Sequence, residues 1–338
     1  MSQPTLQDQM ARMITGYWVS QMVHVAAKLA LADHLADGPR TAEELAESTG
    51  THARSLYRLL RALASIGVFS EGNDGRFRMT PLAETLRSDM PGSQWAMAVM
   101  MGEEHYRCWG DLLASVRTGE TAFDRVYGEP IFEYLGGHPE QAEVFDAAMT
   151  SIHGRETRAM LDSYDLSGIG VLADVGGGNG SNLIGILGRH PGMRGVLFDL
   201  PHVVERAGKD LEAAGLSGRC EVVGGDFFAS IPVEADAYFL RHILHDWDDE
   251  KAGLILRNIR KAMPEGARLL VVEYVLPPGD TPSFGKLLDL NMLLLPGGVE
   301  RNETEFRRLY EGAGFRLTRI VPTEGDLSVV EGVKGGAG

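Results

Sequence analysis

The residues with the types and spacing to do chemistry are concentrated in the second half of the chain. Val171-Leu172-Ala173-Asp174-Val175 is a short apolar run of the kind buried on both faces of a parallel sheet. It opens into Gly176-Gly177-Gly178-Asn179-Gly180-Ser181 and then into helical spacing from Asn182 to Arg189. Glycines at such a turn leave bare N–H groups at a helix start free to meet polar or anionic atoms of a ligand. Two further apolar runs end in carboxylates, Gly195 to Asp199 and Cys220 to Asp226. In a doubly wound sheet these strand ends lie side by side, so Asp174, Asp199 and Asp226 would ring one ligand. Asp199 suits paired ribose hydroxyls and Asp226 an exocyclic amine on adenine, although Asp199, standing before Leu200-Pro201, could equally cap a helix. A dinucleotide site calls for G-x-G-x-x-G, and Ser181 occupies the last position, which argues against NAD. A fourth strand, ending at Leu240, runs into Arg241-His242-Ile243-Leu244-His245-Asp246-Trp247-Asp248-Asp249-Glu250 and an amphipathic helix up to Met263. A histidine at that edge faces the crevice, where a base is useful.

Elements that must position these groups can be read in order. The chain has 338 residues, 44% of them hydrophobic, enough for cores in two domains. Its net charge of −15 argues against nucleic acid as the main partner. Cys108 and Cys220 make no disulfide framework and suit a reducing cytoplasm. Met1 to Thr5 lacks the charged head and apolar core of a secretion signal, and no apolar run approaches the ~18 residues of a membrane span, so a cytoplasmic protein without a membrane partner is expected. Leu6 to Leu35 has helical periodicity with an apolar face that needs a partner. Thr41 opens a helix ending at Gly50, Ala53 to Ile66 forms a second, and Val68-Phe69-Ser70 pairs with Arg76 to Met79 across Gly72 to Gly75. This is a winged-helix pattern. It raises the competing reading of a ligand-responsive DNA-binding regulator, with Arg54, Arg58 and Arg61 on one helix face; the acidic balance of the chain opposes it. Between Pro91 and Asp162 lies a helical connector rich in Met and aromatic residues. Lys286 to Gly298 reads as a helix closed by Pro296 and Gly297, Glu303 to Ala313 as another, and Gly314 to Ile320 with Leu327 to Glu331 as closing antiparallel strands.

D-V-G-G-G-N-G at Asp174, F-D-L-P-H-V at Phe198, G-D-F-F at Gly225, R-H-I-L-H-D-W-D-D-E at Arg241 and G-G-V-E-R-N-E-T-E-F at Gly297 resemble the S-adenosylmethionine-dependent O-methyltransferases. The similarity is to the plant caffeate and isoflavone type, the hydroxyindole O-methyltransferase and the bacterial enzymes that tailor aromatic natural products. The resemblance covers nearly the whole chain, with the motifs in order. It implies a Rossmann-like α/β sheet with a closing antiparallel strand, preceded by a helical winged-helix dimerisation domain. Residues 1–100 would be the dimerisation domain, 101–162 a helical connector and wall of the acceptor pocket, and 163–334 the S-adenosylmethionine-binding catalytic domain. The cofactor, leaving as S-adenosylhomocysteine, would meet Asp174, Gly176, Gly177, Gly178, Asp199, Leu200, Gly225, Asp226, Phe227, Arg241 and Trp247. His245 would be the general base, with Glu273 and Glu300 holding its imidazole. Phe145, Met149, Asn291, Met292 and Leu295 would face a small aromatic acceptor. Leu295 stands where many plant relatives are more polar, which favours a bulkier, more apolar ring system. The protein would be a homodimer.

Those residue types fit methyl transfer from a sulfonium, an in-line displacement in which the reacting atoms must be held ~3 Å apart. A phenol of pKa ~10 facing a histidine of ~6.5 is mismatched by roughly 5 kcal/mol. Carboxylates beside the imidazole narrow that gap by favouring imidazolium. The magnesium-dependent branch of O-methyltransferases needs several oxygen ligands converging on one cation, and no such cluster stands beside His245, so no metal is expected. Rival activities are a dehydrogenase on a similar sheet, cofactor-assisted hydroxylation or decarboxylation, and transfer to nitrogen or carbon.

Overall fold

The computed structural model describes residues 4–336, apart from the side chains of residues 152–155; Met1 to Gln3, part of the stretch inspected for a secretion signal, lie outside it. The chain divides into two compact units, one formed by residues up to 107 together with 138–151 and the other by 108–137 and everything after 151. The connector is therefore shared between the units, its first part going with the one that holds the large sheet. The physical reason is in the side chains: Cys108, Phe123 and Ile131 pack with Leu294 and Leu295, which ties the first part of the connector to the catalytic unit.

The first unit opens with α1 (Leu6–Ile14), α2 (Gly16–Lys28) and α3 (Leu31–Leu35). The single periodic run expected from Leu6 to Leu35 is therefore interrupted twice. At Thr15 the side-chain hydroxyl donates to the Ala11 carbonyl, a bond that competes with the helical ladder, and Ala30 takes a left-handed conformation with φ 48°. α4 (Ala42–Thr49) starts at a capping box made by Thr41 and Glu44 and stops at Gly50. It is followed by α5 (Ala53–Ser65) and the hairpin β1 (Phe69–Glu71) and β2 (Phe77–Met79), paired antiparallel as the winged-helix pattern predicts. α6 (Pro81–Glu84) and α7 (Trp95–Gly102) complete the region. Leu31, Leu35, Leu45, Leu56, Leu60, Leu63, Phe69 and Phe77 form its core, whereas α1 buries nothing.

Four short helices follow, α8 (Glu104–Trp109), α9 (Leu112–Thr118), α10 (Ala122–Tyr127) and α11 (Ile131–Gly137), and then the long α12 (Pro139–Ser163). The second unit is built on one seven-stranded sheet. Its strands are β3 (Val171–Val175), β4 (Arg194–Asp199), β5 (Cys220–Gly224), β6 (Ala237–Arg241), β7 (Arg268–Tyr274), β8 (Phe315–Pro322) and β9 (Leu327–Lys334), in the order β5-β4-β3-β6-β7-β9-β8. The first five are parallel, and β9 enters antiparallel between β7 and β8, so the doubly wound sheet with a closing antiparallel pair is observed. Helices α13 (Ser181–Arg189), α14 (Pro201–Ala213), α15 (Asp249–Ala262), α16 (Phe284–Leu294) and α17 (Glu303–Gly312) complete it. The inner strands β3, β4, β6 and β7 are largely apolar and buried because both faces are covered, one by the α15 and α17 side chains and the other by α13 and α14, whereas the edge strands β5 and β8 are more exposed. The strand order reverses at β3, and the carboxyl edge there is where such folds bind ligands.

Candidate active site

At that edge β3 passes into the glycine turn with Gly176 at φ 74° and Gly178 at φ 58°, conformations that side chains seldom adopt. The turn is also tight: a Cβ on Gly177 would stand 2.4 Å from Leu197 and 2.7 Å from the Asp174 carboxylate. Asp199, at the end of β4, accepts from the backbone N–H of Gly178 at 2.8 Å through one oxygen and from that of Leu200 at 2.7 Å through the other. It therefore braces the glycine turn against the residue that precedes α14 while keeping lone pairs for a ligand. Burial pushes its pKa up, against those two N–H donors. Asp174 is buried and neither of its oxygens has a hydrogen-bond partner among the described residues. Burial raises it to about 7, with the Arg241 charge pulling the other way. A buried carboxylate left in that state beside a loop with no room for side chains fits a ligand carrying cationic or hydroxyl groups.

The remaining expected cofactor residues fall on the same edge. Gly225 follows β5, and a Cβ there would press on the Phe198 ring at 2.7 Å. Asp226 is exposed and accepts from Phe228 N, while Phe227 is half-buried and packs edge-on against Phe228. Trp247 closes this aromatic wall, its ring 4.9 Å from Phe228 and 5.7 Å from Phe132. Arg241, at the end of β6, is buried and donates to Thr157 on α12 at 2.6 Å; burial lowers its pKa to about 10.

His245 sits in a single 3-10 turn, Leu244–Asp246, immediately after β6. Its Nδ1 is 2.6 Å from Glu300 Oε1, and both side chains are buried. Glu273 lies near the end of β7, and its Oε1 accepts from the backbone N–H groups of Ile243, Leu244 and His245 at 3.2, 2.7 and 3.1 Å. Glu273 thus anchors the turn that carries the histidine, because a tight turn after a strand leaves amides without ladder partners. Burial pushes Glu273 up, opposed by the His245 charge.

Asp246, absent from the sequence expectation, places Oδ1 3.5 Å from His245 Nε2. Burial opposes charge on His245, but Glu300, then Asp246 and Glu273, outweigh it and raise the imidazole to about 10. Asp246 itself is raised to about 7 by burial. The neighbouring His242 has the opposite bias: burial lowers its pKa, and its Nε2 lies 3.1 Å from Glu156 on α12. Its backbone is left-handed, φ 54°, a strain of ~1–3 kcal/mol that active sites commonly hold. Two histidines three residues apart, one held as imidazolium and the other pushed toward neutrality, can hold a negative oxygen and shape its surroundings without competing for one proton. Glu156 and Thr157 could not be found from sequence, since only the tertiary fold brings α12 to the end of β6. Asp246 had a signal, its place beside His245, but the acidic run 246–250 reads equally as a helix start.

On the acceptor side the residues divide. Asn291 accepts a hydrogen bond from Trp109 Nε1 at 3.0 Å, and Met292 is buried beside it on α16. Leu295, expected to face the acceptor, is 1% exposed within the core formed with Phe123 and Ile131, because it closes α16 onto the connector. Phe145 and Met149 belong to the first unit, where they pack with Trp95, Met97, Ala96 and Met100. Among the described residues there is no group of histidines, cysteines and carboxylates arranged to hold a metal ion, and no helix long and apolar enough to cross a membrane.

Comparison with known proteins agrees with this geometry. Residues 109–316 match the model of an O-methyltransferase domain, and residues 11–89 that of an O-methyltransferase dimerisation domain. The chain is 50% identical over 326 residues to the phenazine O-methyltransferase PhzM of Lysobacter antibioticus, covering 96% of each. It superposes on the crystal structure of LaPhzM with a TM-score of 0.95 at 49% identity, covering 98% of this chain and all of that one. It is also similar to NcsB1, an O-methyltransferase from neocarzinostatin biosynthesis crystallised with S-adenosylmethionine and 2-hydroxy-5-methyl naphthoic acid. There the TM-score is 0.83 and the identity 35%, over 94% of this chain and 96% of that one.

Proposed function

We propose a reaction for this chain on the premise that it belongs to the O-methyltransferase family: methyl transfer from S-adenosylmethionine to a hydroxyl of a planar, polycyclic aromatic acceptor. The relatives named for phenazine and naphthoate substrates support that acceptor class. The observation that carries the reading is the buried His245–Glu300 pair beside the glycine turn, on the edge ringed by Asp174, Asp199 and Asp226. When bound, the cofactor supplies an electrophilic methyl carbon on a cationic sulfur. Asp199 accepts from the ribose hydroxyls, Asp226 and Phe227 flank the adenine, and Asp174 with the turn amides holds the amino-acid end. The excess of carboxylates along this edge suits a cationic donor.

His245 handles the acceptor's proton. With its imidazole raised to about 10, it matches a phenol of pKa ~10, so in the fraction of enzyme whose imidazole has first released its proton to solvent, the acceptor's proton moves to it at little cost and the oxygen attacks as phenolate beside imidazolium, a fraction that grows as pH rises. Glu300 orients the ring through Nδ1, leaving Nε2 for the hydroxyl, while Glu273 holds the turn. Asn291 and Met292 border the acceptor. The active form is a homodimer through the N-terminal unit, supported by the exposed apolar residues Leu6, Met10, Met13, Ile14, Tyr17 and Trp18 on α1 and α2.

The test is incubation with methyl-labelled S-adenosylmethionine and a panel of phenazine, naphthoate and simple phenols, with the methylated atom located by NMR. His245→Ala lowers turnover by ~10²–10⁴ if it handles the proton. An unchanged rate in that variant, or label found on nitrogen or carbon alone, overturns the reading.

A further inference from the structure

Arg301 is the largest fully buried side chain among the described residues, with 1% of its surface exposed, and methyl transfer as derived above makes no use of it. A buried guanidinium costs several kcal/mol unless its donors are matched, so its surroundings show what it is for. Its Nη1 donates to the Leu244 carbonyl at 3.0 Å and the Val299 carbonyl at 3.3 Å, and its Nη2 to the Trp247 carbonyl at 2.9 Å. Its Nε donates to Asp249 Oδ1 at 2.9 Å. Leu244 and Trp247 bracket His245 and Asp246, and Val299 directly precedes Glu300. One planar fork therefore spans both halves of the imidazole–carboxylate pair.

We propose that Arg301 is a positioning residue for methyl transfer, its guanidinium fixing the turn that bears His245 against the loop that bears Glu300 and so setting the Nδ1–Oε1 bond. The two segments touch backbone to backbone at this place. Val299 N donates to the His245 carbonyl at 2.8 Å, and a Cβ on Gly298 would fall 1.9 Å from that carbonyl oxygen. Arg301 is itself held from the other side, because its carbonyl accepts from Leu276 N at 3.0 Å, just beyond the strand that carries Glu273. The ion pair with Asp249 is not the core of the device. The Asp249 side chain is 76% exposed, where water screens it, while the contact to the Leu244 carbonyl is buried and those to Val299 and Trp247 are partly so. Geometry explains the residue type: three carbonyls in different directions need donors spread over a rigid plane, and a lysine ammonium presents all of its donors from one atom. Burial raises the Glu273 carboxyl, and the Arg301 charge acts, after that of His245, in the opposite direction.

The proposal rests on His245 and Glu300 acting as described, so His245→Ala is assayed alongside. Arg301→Lys, with Arg301→Gln as the second variant should the first not fold, is measured for melting temperature, S-adenosylhomocysteine affinity by calorimetry, kcat, KM and the pH dependence of kcat. The expected result is a folded enzyme with cofactor affinity and acceptor KM within about threefold of wild type and kcat down ~10- to 10²-fold, the cost of misplacing a reacting group by about an ångström. Glu300→Gln should then cost much less in the Arg301→Lys background than alone, since the two act through one bond. A folded variant with wild-type kcat, a fall in cofactor affinity equal to the fall in kcat, or full additivity with Glu300→Gln overturns the proposal. If His245→Ala keeps the wild-type rate, the underlying reading fails and this one with it. If His245→Ala is inactive and Arg301→Lys is not impaired, only Arg301 is misassigned.

Discussion

Replacing Glu300 by Gln tests the electrostatics of the site most sharply. The residue is fully buried and its Oε1 is 2.6 Å from His245 Nδ1, so an amide of the same shape keeps the space filled while removing the charge. Glu300 is the foremost influence raising the imidazole, which stands at about 10 rather than the usual 6.5. That gap of about 3.5 pH units corresponds to ~5 kcal/mol. If Glu300 supplies about half of it, the variant's imidazolium–phenolate pair is less stable by ~2–3 kcal/mol, and kcat falls ~10²-fold where the wild type is fully active. The sign with pH follows from the same shift. Glu300 raises the imidazole, so its loss lets the histidine shed its proton at lower pH. The acid limb of the kcat profile therefore moves downward, and the variant's deficit is largest at alkaline pH and narrows on acidification. The assay is transfer of labelled methyl under saturating cofactor from pH 6 to 10, with S-adenosylhomocysteine affinity as control. A kcat within threefold of wild type at alkaline pH would refute a role for the charge. An equal deficit at every pH would leave Glu300 as a geometric prop only.

Two further outcomes follow from the structure. Asp199→Ala removes a carboxylate that takes the Gly178 and Leu200 amides and is read as the ribose site; S-adenosylhomocysteine affinity by calorimetry should fall ~10- to 10²-fold, the loss of one or two charge-assisted hydrogen bonds, and unaltered affinity would make it a brace of the glycine turn alone. Met13→Glu with Trp18→Glu places charges on residues 75% and 57% exposed on α1 and α2; sedimentation should show the dimer weakened to monomer at micromolar concentration, and an undisturbed dimer would move the interface elsewhere.

Much of this protein is written locally. The strand–glycine–helix passage from Val171 to Arg189, the carboxylates closing the second and third strands, and the histidine after the fourth could be read residue by residue, because each depends on short-range rules of backbone freedom, periodicity and capping. The same rules found the winged hairpin and the closing antiparallel pair. The helical character of Leu6 to Leu35 was legible too, but not its division into three helices, because the periodicity persists through breaks made by one threonine hydroxyl and one left-handed alanine. What the sequence could not reveal is which partner each group chooses across distant segments. Glu273 and Glu300 look alike in sequence, yet one takes three amides of the histidine's turn and the other takes the ring, since only the packing of the β7 end and the 298–301 loop fixes the direction of each carboxylate. Nothing near Leu295 in sequence announces that Phe123 and Ile131 pack against it. Arg301, a plausible surface charge beside an acidic residue, becomes a buried clasp only when the turn and the loop are brought within hydrogen-bond reach. Composition and spacing supply the chemical groups; the long-range closure of the chain decides which of them are desolvated, and therefore which are strong.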